Sequence, residues 1–518
     1  MKKIPIIITL ITLLPCIMQA QTAYDALRFS QIFYSGTARS AAMGNAMTAL
    51  GGDFGSLAIN PAGSAVFPYS EFTITPVLNH SITKADYLST LSDQNRSCLD
   101  LANIGYIGSI KLSNQNGLTG LSLGFGYNAL NDFTDRFSAS GVTNQSSWLA
   151  GLAYNTSGIH ATNLDLNEYT NPFYNSSAPW RAILAWNTSL LDTIPGSQGM
   201  YYKGVTEAYS GNNIVIPGNL QQDFFRESKG YVGEYVINLG LNFSHKLFLG
   251  VNMGVQSIYY YYNEQYTESA DNWQDFPQTE FNYFTHTYNQ SSSGVGVNFK
   301  VGAIYLPAKN VRIGAAISTP TWMRLNEEWE ETITADFSDG YHQYLSSPLG
   351  TYEYRINTPF RWNVGMAYTL GTLGAISIDY EQTAYNKIYL SSTGTNATGT
   401  NPFSNENNYI KKEFTNTHNI RAGLELNLNE AFSIRGGYAY YGGPEKSYSY
   451  QTQIASLGIG LHSGSLFSDL TFMQQFAKKE YFSLYDDVYD YGYVVYQAPI
   501  GEQTASNWKL LLTIGLRF

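Results

Sequence analysis

The sequence predicts an all-β fold, a transmembrane antiparallel β-barrel of about 14 strands with an N-terminal hatch in its lumen. Three observations predict it. Apolar and polar residues alternate along many segments, short and long connections take turns between those segments, and the composition is poor in charge but rich in aromatics.

Composition sets the class. Charged residues make up 13% of 518, against about a quarter in soluble domains, and the chain holds 42 Tyr, 27 Phe and 47 Gly. No stretch after Ala20 is long and apolar enough for a membrane helix, which needs about 20 residues. Such a chain fits strands that face lipid on one side and water on the other. The formal charge of −11 argues against a nucleic acid partner.

The chain opens on Lys2 and Lys3, continues through apolar Ile4 to Met18, and reads Gln19-Ala20-Gln21. These are the three parts of a secretory signal, so residues 1–20 are expected to be a signal peptide cleaved after Ala20. The apolar run is short for a membrane anchor and carries Pro5 and Pro15. Pro15 also stands where a lipoprotein signal needs a small residue before Cys16. Cleavage would leave Cys98 as the one cysteine, with no intramolecular disulfide.

Residues 21–68 do not alternate. They are rich in small side chains, as in Gly36-Thr37-Ala38-Arg39-Ser40-Ala41-Ala42-Met43-Gly44-Asn45-Ala46 and Gly51-Gly52-Asp53, and end on Asn60-Pro61-Ala62-Gly63. Small residues pack closely in a confined space, and a lumen of about 14 strands is wide enough to need a plug.

The barrel is expected over 69–518. Ile420, Ala422, Leu424, Leu426 and Leu428 share one face, with Arg421, Gly423, Glu425, Asn427 and Asn429 opposite. Tyr235 to Phe243, Leu249 to Val255 and Trp362 to Tyr368 repeat the pattern. Strands are expected near 69–80, 102–113, 119–129, 231–244, 247–262, 283–306, 310–325, 354–369, 373–384, 417–428, 431–441, 447–461, 465–476 and 506–518. That number is even, as single-chain bacterial barrels require.

Connections separate a barrel from a sandwich. Short ones fall at Ser113 to Thr119, Ser244 to Leu247, Pro307 to Asn310, Gly371-Thr372, Asn429-Glu430 and His462 to Gly464, all rich in turn formers. The others are expected to be mostly long: 81–101, 130–230, 263–282, 326–353, 385–416 and 477–505. That asymmetry belongs to periplasmic turns and extracellular loops. In the last strand Trp508, Leu510, Leu512, Ile514 and Leu516 share a face, Leu511 interrupts the polar one, and the chain ends on Phe518. A terminal aromatic on such a strand resembles the signal read by the barrel assembly machinery, an expected partner.

The small-residue stretch, the Gly-Gly-Asp step and Asn60-Pro61-Ala62-Gly63 ahead of the first strand resemble the N-terminal hatch of the FadL family of outer-membrane transporters, which includes toluene and xylene transporters. The resemblance covers the signal peptide, hatch, strand count and last strand. It implies a monomer in the Gram-negative outer membrane that admits hydrophobic small molecules, such as long-chain fatty acids, by passive, hatch-gated diffusion, with exit through a gap in the wall. It also places Gly44, Asn45, Asn60, Pro61, Ala62 and Gly63 in the hatch.

The residues themselves supply candidate contacts. Phe29, Phe33 and Phe54 are candidates for touching an apolar ligand, and Arg28 and Arg39 for meeting a carboxylate, as are Lys84, Arg96 and Lys111 near the first strands. Trp180, Ile183 and Leu184 fall near helical spacing after Pro179, so the 130–230 loop is a candidate capture surface, or else these residues pack the loop against itself. No Gly-x-Ser-x-Gly, His-Glu-x-x-His or Gly-x-x-x-x-Gly-Lys motif is present and the histidines are scattered, so no enzyme, cofactor or metal is expected. Outer-membrane lipid and lipopolysaccharide are expected neighbours. The alternative is an interaction partner of a protein secretion or surface assembly system, with aromatic loops docking a protein.

Overall fold

The computed structural model describes residues 23–113, 116–211, 213–394, 401–447, 450–490 and 493–518. The signal peptide expected over 1–20, with its cleavage after Ala20, lies outside the described residues.

Period-two alternation builds one ring of 14 antiparallel strands. In chain order these are β1 (Glu71–Tyr87), β2 (Thr90–Lys111), β3 (Leu118–Asp132, continued by Asp135–Thr143), β4 (Leu220–Phe243), β5 (Leu247–Ala270) and β6 (Phe281–Ala308). There follow β7 (Val311–Ser318, then Trp322–Phe337), β8 (Gly350–Asn357, then Arg361–Thr369) and β9 (Gly374–Ala384, then Tyr389–Ser392). The last five are β10 (Asn416–Asn427), β11 (Phe432–Tyr441), β12 (Thr452–Ser463), β13 (Leu466–Ser483) and β14 (Ile500–Arg517). Each strand pairs with its sequence neighbours, and β14 closes on β1 with Arg517 opposite Glu71. Closure leaves the ring without end strands, which a lipid environment demands.

The two faces of each strand go to different solvents. Ile420, Leu424, Ile237 and Met253 point outward and are exposed, whereas Arg421 and Glu425 point inward and are buried. An apolar exterior and a polar lumen define a membrane-spanning barrel of outer-membrane type. Trp322 and Trp362 lie near the upper edge of the apolar band, where aromatic rings sit at membrane interfaces. Inside, opposite charges pair: Arg421 with Glu381 at 3.1 Å, Arg435 with Asp469 at 2.6 Å, and Lys300 with Glu234 at 2.5 Å.

One end of the ring carries the six short turns, and the chain enters and leaves there through reciprocal backbone bonds between Ser70 and Phe518. The other end differs from expectation. The connection expected over 81–101 is almost all strand, with only Leu88 and Ser89 turning at φ 49° and 65°. Strand also fills much of 263–282 and 477–505, and the 130–230 connection loses Asp135–Thr143 and everything from Leu220 onward. The reason is physical. Past the lipid the outward face turns polar, so the strands continue while the apolar half of their alternation ends.

Residues 144–211 and 213–219 fold over this end. Helix α1 (Trp148–Thr156) is capped by Ser147, and helix α2 (Trp180–Asn187) lies where the spacing after Pro179 predicts. Ile183 and Leu184 are fully buried in a core shared with Phe276, Phe281, Phe284 and Ile333 of the wall tips. Arg181 ties this cap to Glu331 of β7 at 3.0 Å, and His286 of β6 reaches the same carboxylate at 2.9 Å.

Candidate functional site

Residues 23–68 lie against the inward faces of the strands and are almost entirely buried. The segment forms a short helix (Ala23–Ser30), a second (Ala38–Ala42) and two tight turns at Phe54–Ala58 and Pro61–Val66. Small residues on both partners make the approach possible. A Cβ added at Gly314 of β7 would stand 2.1 Å from the Thr48 carbonyl oxygen, and one at Gly437 of β11 would stand 2.1 Å from the Gly44 nitrogen.

Polar bonds set the register of this seating. The Thr48 hydroxyl and amide both donate to Asp379 of β9, at 2.6 and 2.8 Å. Asn60 caps the turn that follows it by accepting from Ala62 N at 3.0 Å, and its amide donates to Thr48 O at 2.6 Å. The Pro61 carbonyl accepts from Asn238 of β4 at 3.0 Å. Ala62 is buried beside Phe248 and Ile304, and a Cβ on Gly63 would clash with Ser56. Gly44 and Asn45 both have positive φ, and Asn45 donates to Tyr34 O at 2.8 Å. Leu511, the residue that broke the polar face of the last strand, packs on Ala38 and Ala41 of this segment.

The wall has an opening. Pairing between β2 and β3 stops at Asn103 opposite Asn128, while β2 continues alone alongside β1 up to Thr90. β3 bulges at Ala129 to Asn131, turns at Phe133-Thr134, and continues inside the ring, where Phe137 and Ala139 pack on Ala85 and Tyr87. Among the described residues, no strand pairs with the freed edge of β2 over 90–102.

A cavity of about 610 Å³ occupies this gap. Leu101, Tyr127, Tyr231 and Tyr235 line it from the lipid side, and Ser35, Asn79, Arg96 and Lys509 from the lumen. A further chamber of about 170 Å³ shares Ser35, Asn79, Arg96 and Lys509 and adds Phe33, Ile454, Met473 and Trp508, so the space runs from the exterior to the N-terminal segment. Its lining carries Arg96, Lys229 and Lys509 together with Asp100 and Asp132. Glu227 is shared by Arg96, Arg136 and Lys229, and no carboxylate among the described residues lies within ion-pairing distance of Lys509.

The sequence-predicted contacts divide on this geometry. Phe33 lines the inner chamber. Phe29 is buried edge-on to Phe133 and Tyr260, and Phe54 lies over the Gly105–Gly126 pair of the β2–β3 seam, below the opening. Arg28 is paired with Asp25 and lies over Tyr260, while Arg39 is bonded to Glu425 at 2.8 Å, so neither is a free cation. Ile183 and Leu184 face the core of the cap, and Trp180 packs on Phe173 and Trp329. Of the other cations considered, Arg96 lines the opening; Lys84 and Lys111 do not. The sequence reading missed Lys509, Asn79, Asp100 and Tyr127. Their one available signal is a polar inward position or an outward aromatic on strands β1, β2, β3 and β14, shared by many residues away from the gap.

No family model matches the chain, and no curated protein matches it. Solved structures do. A crystal structure of the toluene transporter TodX of P. putida is 11% identical, with a TM-score of 0.51 over 94% of this chain and 99% of that one. A Pseudomonas aeruginosa FadL homologue is 12% identical, with a TM-score of 0.55 over 94% of this chain and 100% of that one. At such identity the likeness is one of fold: the chain shares with these structures the architecture of an outer-membrane β-barrel, here 14 strands closed around an N-terminal segment.

Proposed function

We propose that the protein passes hydrophobic small molecules, long-chain fatty acids or similar amphiphiles, across the outer membrane by passive diffusion, with residues 21–68 acting as the hatch that gates the path. The observation that carries this reading is the cavity at the β2–β3 gap, walled by aromatic residues on the lipid side and by polar ones on the lumen side. Its volume of about 610 Å³ suits a small-molecule site, for which roughly 300–1,000 Å³ is usual. The Lys509 ammonium at the inner wall is a partner for a carboxylate head, and the tyrosines are partners for a chain leaving sideways into lipid. The solved TodX, named a toluene transporter, and the FadL homologue share the fold.

Uptake of a labelled long-chain fatty acid by a strain lacking the protein tests the reading, with the wild type and Ala129→Trp returned on a plasmid. Ala129 stands at the mouth of the gap, so the indole narrows the exit. Uptake is expected to return with the wild type and to fall severalfold with the variant. Equal uptake with and without the protein would remove the transport reading. The alternative, a docking partner in protein secretion or surface assembly, draws on the strongly exposed Tyr169, Tyr174 and Tyr201 of the cap. A stoichiometric protein partner recovered from membranes would favour it.

A further inference from the structure

A second recess, of about 530 Å³, indents the outward face at β6, β7 and β8. It adjoins the place where β7 and β8 are both interrupted, at 319–321 and 358–360, with a proline in each break. The strand register orders its lining into two rows. Val297, Trp322 and Asn357 stand side by side, and one step toward the long-loop end Val295, Arg324, Arg355 and Ser391 follow. The apolar band therefore ends at Trp322, and the next row belongs to the headgroup layer, where basic side chains meet lipid head groups.

Arg324 and Arg355 are directly opposite each other across an antiparallel pair, both on the outward face. Like charges in that position repel. Glu353 is held bidentately by Arg324, at 2.6 and 2.8 Å, and attracts Arg355 only from beyond ion-pairing distance, so Arg355 has no close ion pair among the described residues. Two cations and one carboxylate leave the spot net positive beside an apolar floor. A phosphate bound between them removes the repulsion and matches the planar guanidinium donors, which engage phosphate bidentately.

We propose that this recess holds a phosphorylated lipid of the outer leaflet, its phosphate bridging Arg324 and Arg355 and an acyl chain lying along Val295, Val297 and Trp322. The proposal does not depend on what passes through the barrel.

The test uses the full chain, folded in detergent, and bis-phosphorylated lipid A in mixed micelles, with retention read by native mass spectrometry. Folding of each variant is checked by its mobility on unheated gels. Arg324→Gln/Arg355→Gln is expected to lose retention about tenfold or more, the loss of charge-assisted bonds to phosphate. Lys411→Gln/Lys412→Gln removes as much charge from an exposed loop helix and is expected to bind like the wild type. The same lipid without phosphates should bind as weakly as the double variant. Should that variant not fold, Arg355→Gln, whose side chain makes no close ion pair among the described residues, replaces it, with a loss of at least about threefold expected. Undiminished binding by the folded variant, or equal binding of the phosphate-free lipid, overturns the proposal. So does inorganic phosphate competing as well as the lipid, because the recess would then recognise an anion alone.

Discussion

Adjacent glycines on β11 provide a matched test of whether the N-terminal segment is seated against the wall. Gly437 faces the lumen, and a Cβ there would lie 2.1 Å from Gly44 N, 2.5 Å from Met43 C and 2.6 Å from Ala42 O. The shortest of these is about 1.3 Å inside ordinary contact, and every atom met is backbone, so no side chain can rotate away. The Met43-Gly44 step is itself held, by Gly44 at φ 61° against Tyr438 and by the Ser456 hydroxyl donating to Ala42 O at 3.1 Å. Overpacking of this kind costs about 1–3 kcal/mol. If that cost falls on seating, Gly437→Ala shifts the balance of seated and unseated forms roughly 5- to 150-fold, at about 1.4 kcal/mol per tenfold. Gly436 faces outward, and its added Cβ would meet nothing closer than Leu457 Cδ2 at 3.6 Å, so Gly436→Ala is expected to be neutral or slightly stabilising. Planar-bilayer recordings and protease protection of residues 23–68 read the difference: more open events and faster cleavage for Gly437→Ala, no change for Gly436→Ala. Indistinguishable variants would refute the reasoning, because the two substitutions differ only in the face they occupy.

Two further outcomes follow from charged anchors. Arg39→Gln removes bonds to Glu425 at 2.8 and 3.1 Å and to Gly52 O at 3.2 Å, while Arg435 keeps Glu425 partnered at 2.6 Å. The loss is expected to be about 2–3 kcal/mol, below the roughly 3–5 of a fully orphaned buried pair, and to appear as faster proteolysis of the N-terminal segment; an unchanged rate would detach Arg39 from seating. In the cap, beyond the membrane band, burial acts to raise the Glu331 carboxyl, but Arg181 and His286 overcome it and hold the pKa at about 2. A depressed carboxylate stabilises fully above its unfolded value near 4.5 and loses that contribution as pH falls toward 2, so the cap is expected to become protease-sensitive below about pH 4. Arg181→Ala should weaken the cap at neutral pH and flatten the acid dependence, and an unaltered profile would show that the anchor lies elsewhere.

The barrel was legible in the residues because lipid and water impose a binary choice on every strand position. Ile420 with Leu424 against Arg421 with Glu425 is read correctly from order alone, and turn formers such as Asn429 mark the short connections. Legibility ended where that choice ends. Along 81–101 the apolar half of the alternation is broken by Lys84, Asp86, Asp93 and Asn95, so the stretch looked like a loop although β1 and β2 pair along it. Small residues at 36–63 announced close packing, but their partners, Asp379 for Thr48 and Glu425 for Arg39, are hundreds of positions away and look like any other inward polar residue.

Alone, the sequence determined the all-β class, the number of strands, the sidedness of the connections and the segment that packs closely, because each follows from local periodicity and composition. The tertiary structure decided the opening between β2 and β3, the chamber behind it, and the facing pair Arg324 and Arg355. Those depend on register and on where pairing stops, which arise from closing the ring and are encoded in no single stretch of the chain.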